Sequence, residues 1–262
     1  MPTTLERILA ATRASLPELR GRRREIEARA AAAPLPEPFL SHWDPTRVGL
    51  IAEVKRRSPS QGMISVELDP AAHAAAYAGA GASAISVLTD GPFFGGSLDD
   101  LAAVRGRVAV PLLRKDFILD ELQIAEARGA GASAVLLIVR ALAPARLVEL
   151  AAAARDFGLD VLVETHDVPE LEFALSSGAT IIGVNSRNLD TFEIDIDSAW
   201  GLIDGIPADR IAVAESGMET VDDVVAASAA GADLVLIGTA LSSSHDPGAL
   251  ASVCASVRRR PR

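Results

Sequence analysis

The segment IAEVKRRSPS, residues 51–60, combines an apolar strand pattern with charges that the core of a strand does not normally carry. Glu53 and Lys55 are two residues apart, so their side chains point to the same side of a strand. Buried charges are costly unless they pair with an opposite charge. A paired acid and base also shift each other's pKa, and this suits acid–base chemistry.

Similar polar residues follow other apolar runs along the chain, at Lys115, Glu164, Asn185, Arg187 and Glu215. A surface ion pair would explain one charged residue in such a position. Charges at the ends of most of the runs need a common cause, and a polar active site is the simplest one. Together with Glu53 and Lys55, these residues include cations and anions that can neutralise one another.

The elements that must position these residues come from a repeated unit. Residues 79–89, 129–139, 177–185 and 230–238 each contain the end of an Ala-rich helix, a glycine that can stop it, and a short run rich in Val, Ile and Leu. The runs show little alternation, as expected for parallel strands buried on both faces. Their spacing of roughly 50 residues accommodates two strand–helix units per repeat.

The complete pattern alternates strands with helices. Strands are predicted near 49–55, 84–89, 109–114, 134–140, 160–165, 180–185, 211–215 and 234–238, and helices near 70–80, 97–105, 120–129, 143–157, 167–177, 195–204, 219–229 and 247–258. Right-handed crossovers allow a doubly wound open sheet or a closed barrel. Eight units in about 215 residues favour an α/β fold of the (β/α)8 TIM barrel type. No G-x-G-x-x-G follows the first strand, which argues against a dinucleotide-binding sheet.

We expect one domain over residues 1–262, with an N-terminal helical extension at 1–46 before a barrel at 47–258. The residues before the break PLPEP, at 34–38, have the pattern of one or two amphipathic helices. Glu6 and Arg7 interrupt the start of the chain too early for a signal peptide.

Composition limits the partners. The chain has 262 residues, 49% of them hydrophobic, and a formal net charge of -10. Such a protein has no bulk attraction for nucleic acid or anionic membrane, and no segment has the roughly 18 uninterrupted apolar residues of a membrane span. The single cysteine, Cys254, cannot form an internal disulfide. We expect a cytoplasmic monomer or weak homodimer that acts on a small molecule and binds no nucleic acid and no membrane.

The last two predicted strands end in small residues that suit an anion. Ser-Gly at 216–217 and Gly-Thr at 238–239 form turns that leave backbone N–H groups accessible. TIM barrels often hold a phosphate between the loops after their seventh and eighth strands. Arg56 or Arg57, after the first strand, would add a cation at the same end of the barrel.

Five motifs at predicted strand ends resemble the indole-3-glycerol phosphate synthase family: IAEVKRRSPS, LLRKDFI at 112–118, GVNSRNLDTFEID at 183–195, AESGM at 214–218 and LIGTAL at 236–241. The resemblance runs from about residue 3 to 255 and includes the N-terminal helices. It implies a (β/α)8 barrel and a carboxy-lyase of tryptophan biosynthesis. The implied reaction converts 1-(2-carboxyphenylamino)-1-deoxyribulose 5-phosphate to indole-3-glycerol phosphate, with loss of carbon dioxide and water. The resemblance implies no metal and no organic cofactor, and the histidines at 42, 73, 166 and 245 show no metal-ligand spacing.

The resemblance also implies catalytic roles. Lys115 corresponds to a general acid that donates a proton to the substrate ketone, and Glu164 to the general base of the dehydration. Glu53 corresponds to a carboxylate that assists these acid–base steps. Lys55 corresponds to a cation that helps to hold the substrate carboxylate, and Asn185 to a residue that orients the substrate.

Binding residues are implied in the same way. The substrate-binding positions are Ser58, Arg187, Glu215, Ser216 and Phe94, and the phosphate-binding positions are Arg57, Gly217, Gly238 and Thr239. The segment 91–97 is predicted to be a rim loop that contacts the anthranilate ring, although its two phenylalanines would also suit the core. His166 is expected to support the site or a loop rather than to react.

Two positions depart from the family pattern, and two other interpretations compete with it. Gln61 stands where many relatives have a loop lysine, and Ser186 replaces a common asparagine. Another phosphate-handling barrel enzyme is less consistent: phosphoribosylanthranilate isomerase would need a cysteine where Glu53 stands, and the tryptophan synthase α subunit has no counterpart of Lys115. A non-catalytic barrel that binds a sugar phosphate or a protein would be expected to have lost Lys115 or Glu164.

Overall fold

A computed structural model describes residues 2–59, 62–64 and 68–262. The barrel strands are β1 Gly49–Val54, β4 Ala84–Leu88, β5 Leu112–Lys115, β6 Ala134–Ile138, β7 Asp160–Thr165, β8 Ile181–Asn185, β9 Ile211–Glu215 and β10 Leu234–Ile237, with a small hairpin of β2 Arg57–Ser58 and β3 Gly62–Met63 after β1. The eight parallel strands close in the order β1-β10-β9-β8-β7-β6-β5-β4. The prediction of a (β/α)8 barrel is confirmed.

Helices alternate with these strands. Their bounds are α1 Thr4–Gly21, α2 Arg23–Ala32, α3 Pro70–Gly79, α4 Gly91–Phe94, α5 Leu98–Arg105, α6 Glu121–Gly129, α7 Pro144–Asp156, α8 Val168–Ser176, α9 Ile196–Asp204, α10 Val221–Ala229, α11 Thr239–Ser243 and α12 Pro247–Ala255, with a 3-10 turn at Val139–Ala141. Most begin with a side-chain cap, such as Asp120 before α6, whose carboxylate accepts from Leu122 N. No helix within the described ranges is long and apolar enough to cross a membrane.

Several predicted bounds differ from the observed ones by two or more residues, as in the third and fourth strands and the last helix. The third strand was predicted at 109–114 but begins at Leu112 and ends at Lys115. Pro111 has no backbone N–H for the ladder, so the strand starts only after it. The fourth strand ends at Ile138, where a 3-10 turn takes over, and the last helix ends at Ala255 rather than 258.

The N-terminal helices pack beside the mouth of the barrel. Glu6 and Thr3 form a capping box at the start of α1. Leu5 and Ile8 of α1 belong to the same apolar cluster as Phe117, which follows β5. Helix α2 packs on α6 through a smaller cluster that contains Ile26, Ala30, Leu122 and Ala125. Helix α1 is therefore part of the wall around the functional end, whereas α2 covers the barrel at α6.

The C-terminal tail is attached at the opposite end of the barrel. Asp233, just before β10, accepts from Arg259 Nη1 at 2.5 Å and from Arg262 Nη2 at 2.6 Å. Its second oxygen also accepts from the backbone N–H of Ala212 at 2.9 Å. The Arg259 guanidinium lies 5.6 Å from the centre of the Trp43 ring. These contacts attach the tail far from the strand ends that carry the predicted catalytic residues.

Candidate active site

The pleat of the strands turns the predicted catalytic residues into the barrel. In β1, Ile51 belongs to the cluster that fills the barrel, whereas Leu50 and Ala52 pack toward the helices. Glu53 lies on the same face as Ile51 and therefore points inward. Four more residues stand an even number of positions after an interior residue of their own strand: Lys115, Glu164, Asn185 and Glu215.

Lys115 lies at the centre of the site. Its Nζ donates to Glu215 Oε2 at 2.8 Å and lies 3.6 Å from Glu164 Oε2 and 3.8 Å from Glu53 Oε2. Glu53 Oε1 in turn pairs with Lys55 Nζ at 3.3 Å. The three glutamate side chains are between 0% and 5% exposed. Two cations and three carboxylates thus share a space that water reaches poorly.

This excess of carboxylates controls ionisation. Burial disfavours the Lys115 cation, but the surrounding carboxylates, Glu215 first among them, outweigh it and raise the pKa of Lys115. Burial raises the pKa of Glu215, and the neighbouring Glu164 raises it further. Burial would also raise the pKa of Glu164, but Lys115 and then His166 lower it. Glu164 is therefore the carboxylate that stays ionised, and Glu215 is the one that takes up a proton first.

Two glycines leave room for these carboxylates. A Cβ built at Gly183, on β8, would collide with Glu215 Oε1. A Cβ at Gly238, after β10, would collide with Glu53 Oε1 and lie 3.1 Å from Lys55 Nζ. Neither glycine has a positive φ, so it is space rather than backbone conformation that requires glycine here.

The pocket above Lys115 has a charged floor and an apolar wall. The wall includes Phe94, Phe117, Leu136 and Ile138 from β4, β5, β6 and the loops after them, while Leu189 and Leu236 line other parts of the pocket. The rings of Phe94 and Phe117 lie 6.2 Å apart at an angle of 33°. Across the pocket lie the loops after β9 and β10, with Gly217, Gly238 and Thr239. One side of the pocket thus suits a flat apolar group and the other suits a polar one.

The turn after β9 has an unusual backbone. Ser216 has φ 66° and Gly217 has φ 73°, so both are in the left-handed region. This region is strained for serine, and such strain often occurs at functional sites. Both residues line the pocket.

Comparison with known proteins identifies the relatives of this barrel. A family model described as Indole-3-glycerol phosphate synthase matches residues 5–252. The chain belongs to the indole-3-glycerol phosphate synthase family. The enzyme of that name from Mycobacterium ulcerans is 48% identical over 225 residues, which cover 86% of this chain and 83% of the relative. The one from a Nocardioides species is 47% identical over 247 residues, 94% of this chain and 95% of the relative.

Members of the indole-3-glycerol phosphate synthase family are carboxy-lyases of tryptophan biosynthesis, and this chain is one of them. Among solved structures, a 3-hexulose-6-phosphate synthase has a TM-score of 0.63 at 18% identity, covering 80% of this chain and 99% of that chain. The thiamine phosphate pyrophosphorylase of Pyrococcus furiosus has a TM-score of 0.60 at 15% identity, covering 80% of this chain and 95% of that chain. At these identities the likeness concerns the TIM-barrel fold alone.

Most residues singled out from the family motifs meet at this pocket. Those that line it are Glu53, Lys55, Ser58, Phe94, Lys115, Glu164, Asn185, Arg187, Ser216, Gly217, Gly238 and Thr239. Glu215 lies just beneath it, against Lys115. Their individual roles stay predictions. Gln61, the departure from the family pattern in the loop after β1, lies outside the described residues.

The two arginines after β1 are held by a neighbouring loop and helix. Arg56 donates to both carboxylate oxygens of Asp100 on α5, at 2.5 and 2.9 Å. Arg57 donates to Phe93 O at 3.0 Å and to Pro92 O. Neither arginine lines the pocket as described, so a phosphate contact by Arg57 would require these two hydrogen bonds to break.

Sequence reasoning missed several contributors. Phe117, Phe192 and Met218 line the pocket without having been singled out, because an apolar residue in a loop carries no signal of its own. Gly183 was quoted only as part of a motif, since its role depends on a side chain from the next strand. The segment at 91–97, predicted as a rim loop, contains the short helix α4, capped by Asp90, whose carboxylate accepts from Phe93 N.

Proposed function

We propose that this chain catalyses the indole-3-glycerol phosphate synthase reaction. The substrate, 1-(2-carboxyphenylamino)-1-deoxyribulose 5-phosphate, closes its second ring and loses one carbon dioxide and one water. The single observation that carries the proposal is the position of Lys115, a buried cation held by three carboxylates at the floor of a pocket. A reaction that builds negative charge on a ketone oxygen needs such a donor.

In the first step the aromatic carbon that bears the carboxylate attacks the ketone carbon. A carbon–carbon bond forms, and the proton of Lys115 Nζ passes to the ketone oxygen. The bond to the carboxylate then breaks, carbon dioxide leaves, and its electron pair restores the aromatic ring. Because the three glutamates surround it, Lys115 is a cation before the reaction and can recover a proton from Glu215, the carboxylate that takes up a proton first.

In the second step the new hydroxyl leaves as water and the indole double bond forms. This elimination needs a base for the departing proton and an acid for the hydroxyl. Glu164, whose pKa is lowered, is the ionised carboxylate and acts as the base. Lys115, reprotonated by Glu215, donates the proton with which the hydroxyl leaves as water, and Glu53, paired with Lys55, assists the proton transfers.

Binding uses the two sides of the pocket. The anthranilate ring suits the apolar wall around Phe94, and Asn185 and Arg187 orient the polar groups of the substrate from the end of β8 and the loop after it. Asn185 is itself fixed, since its Oδ1 accepts from Arg187 N at 3.0 Å. Ser58, Ser216 and Glu215 support this region, as the family motifs predict.

The phosphate suits the glycine side. Gly217, Gly238 and Thr239 offer backbone and hydroxyl donors there. A cation is available there in Lys55, whose ammonium lies against Gly238. Arg57 would contact the phosphate only if its hydrogen bonds to the carbonyls of Pro92 and Phe93 were broken. We therefore assign the main charge at the phosphate end to Lys55.

Turnover of the purified protein tests this proposal. With the anthranilate-linked deoxyribulose phosphate, we expect formation of an indole product, followed by its fluorescence. The same substrate without its phosphate should bind at least about tenfold more weakly, because one charge-assisted contact is worth roughly 1.5–3 kcal/mol. A folded protein that forms no indole product would contradict the proposal.

A further inference from the structure

A buried histidine lies behind the proposed base. His166 follows β7 two residues after Glu164, and its side chain is 3% exposed. Its Nε2 lies 3.3 Å from Glu164 Oε1, and its Nδ1 lies 3.1 Å from Glu170 Oε2 on α8. His166 is not among the residues that line the pocket as described, so it can reach the substrate only through Glu164.

The two neighbours of the ring define its charge. A neutral imidazole has one N–H donor, and its other nitrogen carries a lone pair. In this site that lone pair would face a carboxylate oxygen on one side or the other, which is repulsive in a buried place. Only the imidazolium form of His166, with two donors, satisfies both Glu164 and Glu170.

Glu170 is anchored from the far side. Its Oε2 also accepts from the backbone N–H of His166 at 2.8 Å, and its Oε1 accepts from Arg140 Nε at 2.8 Å. Arg140 further approaches Asp167 at 3.6 Å. The charged groups that face the ring are therefore Glu164 from β7 and Glu170 from α8, with Arg140 behind Glu170. This arrangement fixes the ring plane and aims Nε2 at Glu164.

The contact with Glu164 is close but imperfectly aligned. Glu164 Oε1 and His166 Nε2 are both buried without an aligned hydrogen bond to any other described residue. Such contacts in unliganded sites often tighten when substrate binds. The arrangement leaves Oε1 for the histidine while Oε2 faces Lys115 at 3.6 Å.

Glu164 and Glu215 compete for one proton. Both are buried beside Lys115, and Glu215 is the closer of the two to its ammonium. Lys115 alone would therefore favour ionised Glu215, which is not the proposed base. His166, as a second cation beside Glu164, reverses that preference, since among the described residues only Lys115 pairs with Glu215.

We propose that His166 is a positioning residue that, as an imidazolium held by Glu170, keeps the charge of the carboxylate pair on Glu164 and so selects Glu164 as the base. This inference rests on the proposed function. The ionisation is consistent with it, because Glu164 and Glu170 outweigh burial and raise the pKa of His166 to about 9. The same ring lowers the pKa of Glu164, after the larger effect of Lys115.

The variant His166→Gln removes the cation and keeps one donor. Loss of the His166 cation raises the pKa of Glu164, so this base is protonated at higher pH than in the unaltered enzyme. The acid limb of kcat/KM should therefore move up by about one pH unit. We expect kcat to fall roughly tenfold, a part of the whole contribution of a general base, while KM changes less than about threefold. His42→Gln, at an exposed histidine far from the mouth, should leave the profile unchanged.

Two further measurements keep the test decisive if His166→Gln folds poorly. Glu170→Gln should shift the acid limb in the same direction, since it removes the anchor of the ring. In the unaltered protein, NMR of 15N-labelled histidine should show one imidazolium ring persisting at pH 8, and this ring should be His166. Its signals are those lost in His166→Gln or changed in Glu170→Gln.

The outcomes separate this inference from the proposed function. If Glu164→Gln retains activity, the base assignment itself fails. If Glu164→Gln is inactive, but His166→Gln and Glu170→Gln leave the acid limb in place, only the role of His166 is overturned. A neutral His166 ring at pH 7 would overturn it as well.

Discussion

At the scale of single residues, the site depends on small side chains as much as on charged ones. Glu215 can lie beneath Lys115 only because position 183 has no Cβ. The β8–β9 register pairs Gly183 with Val213, two residues before Glu215 and on the same face. The glycine therefore acts through space left for a neighbouring strand, and not through any turn of its own backbone.

Gly183→Ala tests this dependence. The obstructing atom is the end of a flexible side chain, so we expect Glu215 to move rather than the barrel to unfold. Activity should fall at least about tenfold, the order of effect of a disturbed acid–base group, with the midpoint of urea unfolding nearly unchanged. Gly201→Ala, on α9 with open space around its Cβ position, should retain full activity. Equal activity of both variants would contradict this role.

Residue-level prediction succeeded where it depended on one strand alone. The spacing of Glu53 and Lys55 was enough to predict a shared face, since a strand has a period of two. The contact between Glu215 and Gly183 requires the register of two strands, which no single motif contains. The hydrogen bonds of Arg57 to the backbone carbonyls of α4 were equally out of reach, because they join segments about 35 residues apart.

At the scale of elements, the two ends of the barrel differ in what they do. The carboxyl ends of the strands carry the proposed chemistry, as is usual for this fold. The amino end carries the tail contact, in which Asp233 is 3% exposed and pairs with Arg259 and Arg262. We expect these two sets of residues to affect different properties.

The double variant Arg259→Ala with Arg262→Ala leaves the Asp233 carboxylate buried without a cationic partner, with the backbone N–H of Ala212 as a remaining donor. Breaking a buried ion pair in this way should lower the free energy of unfolding by about 3 kcal/mol. Urea unfolding measures it, and kcat should stay within about twofold because the site lies at the other end. Arg23→Ala, which breaks the exposed pair with Glu27, is the matched control and should cost less than about 0.5 kcal/mol. A loss of kcat without a loss of stability would contradict this division.

Element prediction was accurate for most of the chain. The predicted strands at 160–165 and 211–215 have the observed bounds, because glycine and polar residues interrupt the apolar runs at both ends. The strand predicted at 109–114 was misplaced because its apolar run continues across Pro111, which has no N–H to donate to the ladder. The apolar pattern of the sequence alone does not distinguish the residues that lead into a strand from the strand itself.

At the scale of the whole molecule, eight parallel strands bring residues that are far apart in sequence together at the bottom of one pocket. Glu53 and Glu215 lie on the first and seventh strands of the barrel, and both approach Lys115 on the third. Closure of β1 against β10 makes this possible, with Gly49 opposite Leu234. The central claim is that this convergence makes Lys115 the acid of the ring closure.

The rate of the variant Lys115→Ala tests that claim most directly. It should be measured with the anthranilate-linked deoxyribulose phosphate, by indole fluorescence, on protein whose circular dichroism matches that of the unaltered chain. Loss of the general acid predicts that kcat falls at least about 100-fold. A fall of less than about tenfold would contradict the assignment of Lys115 and the account of the site built on it.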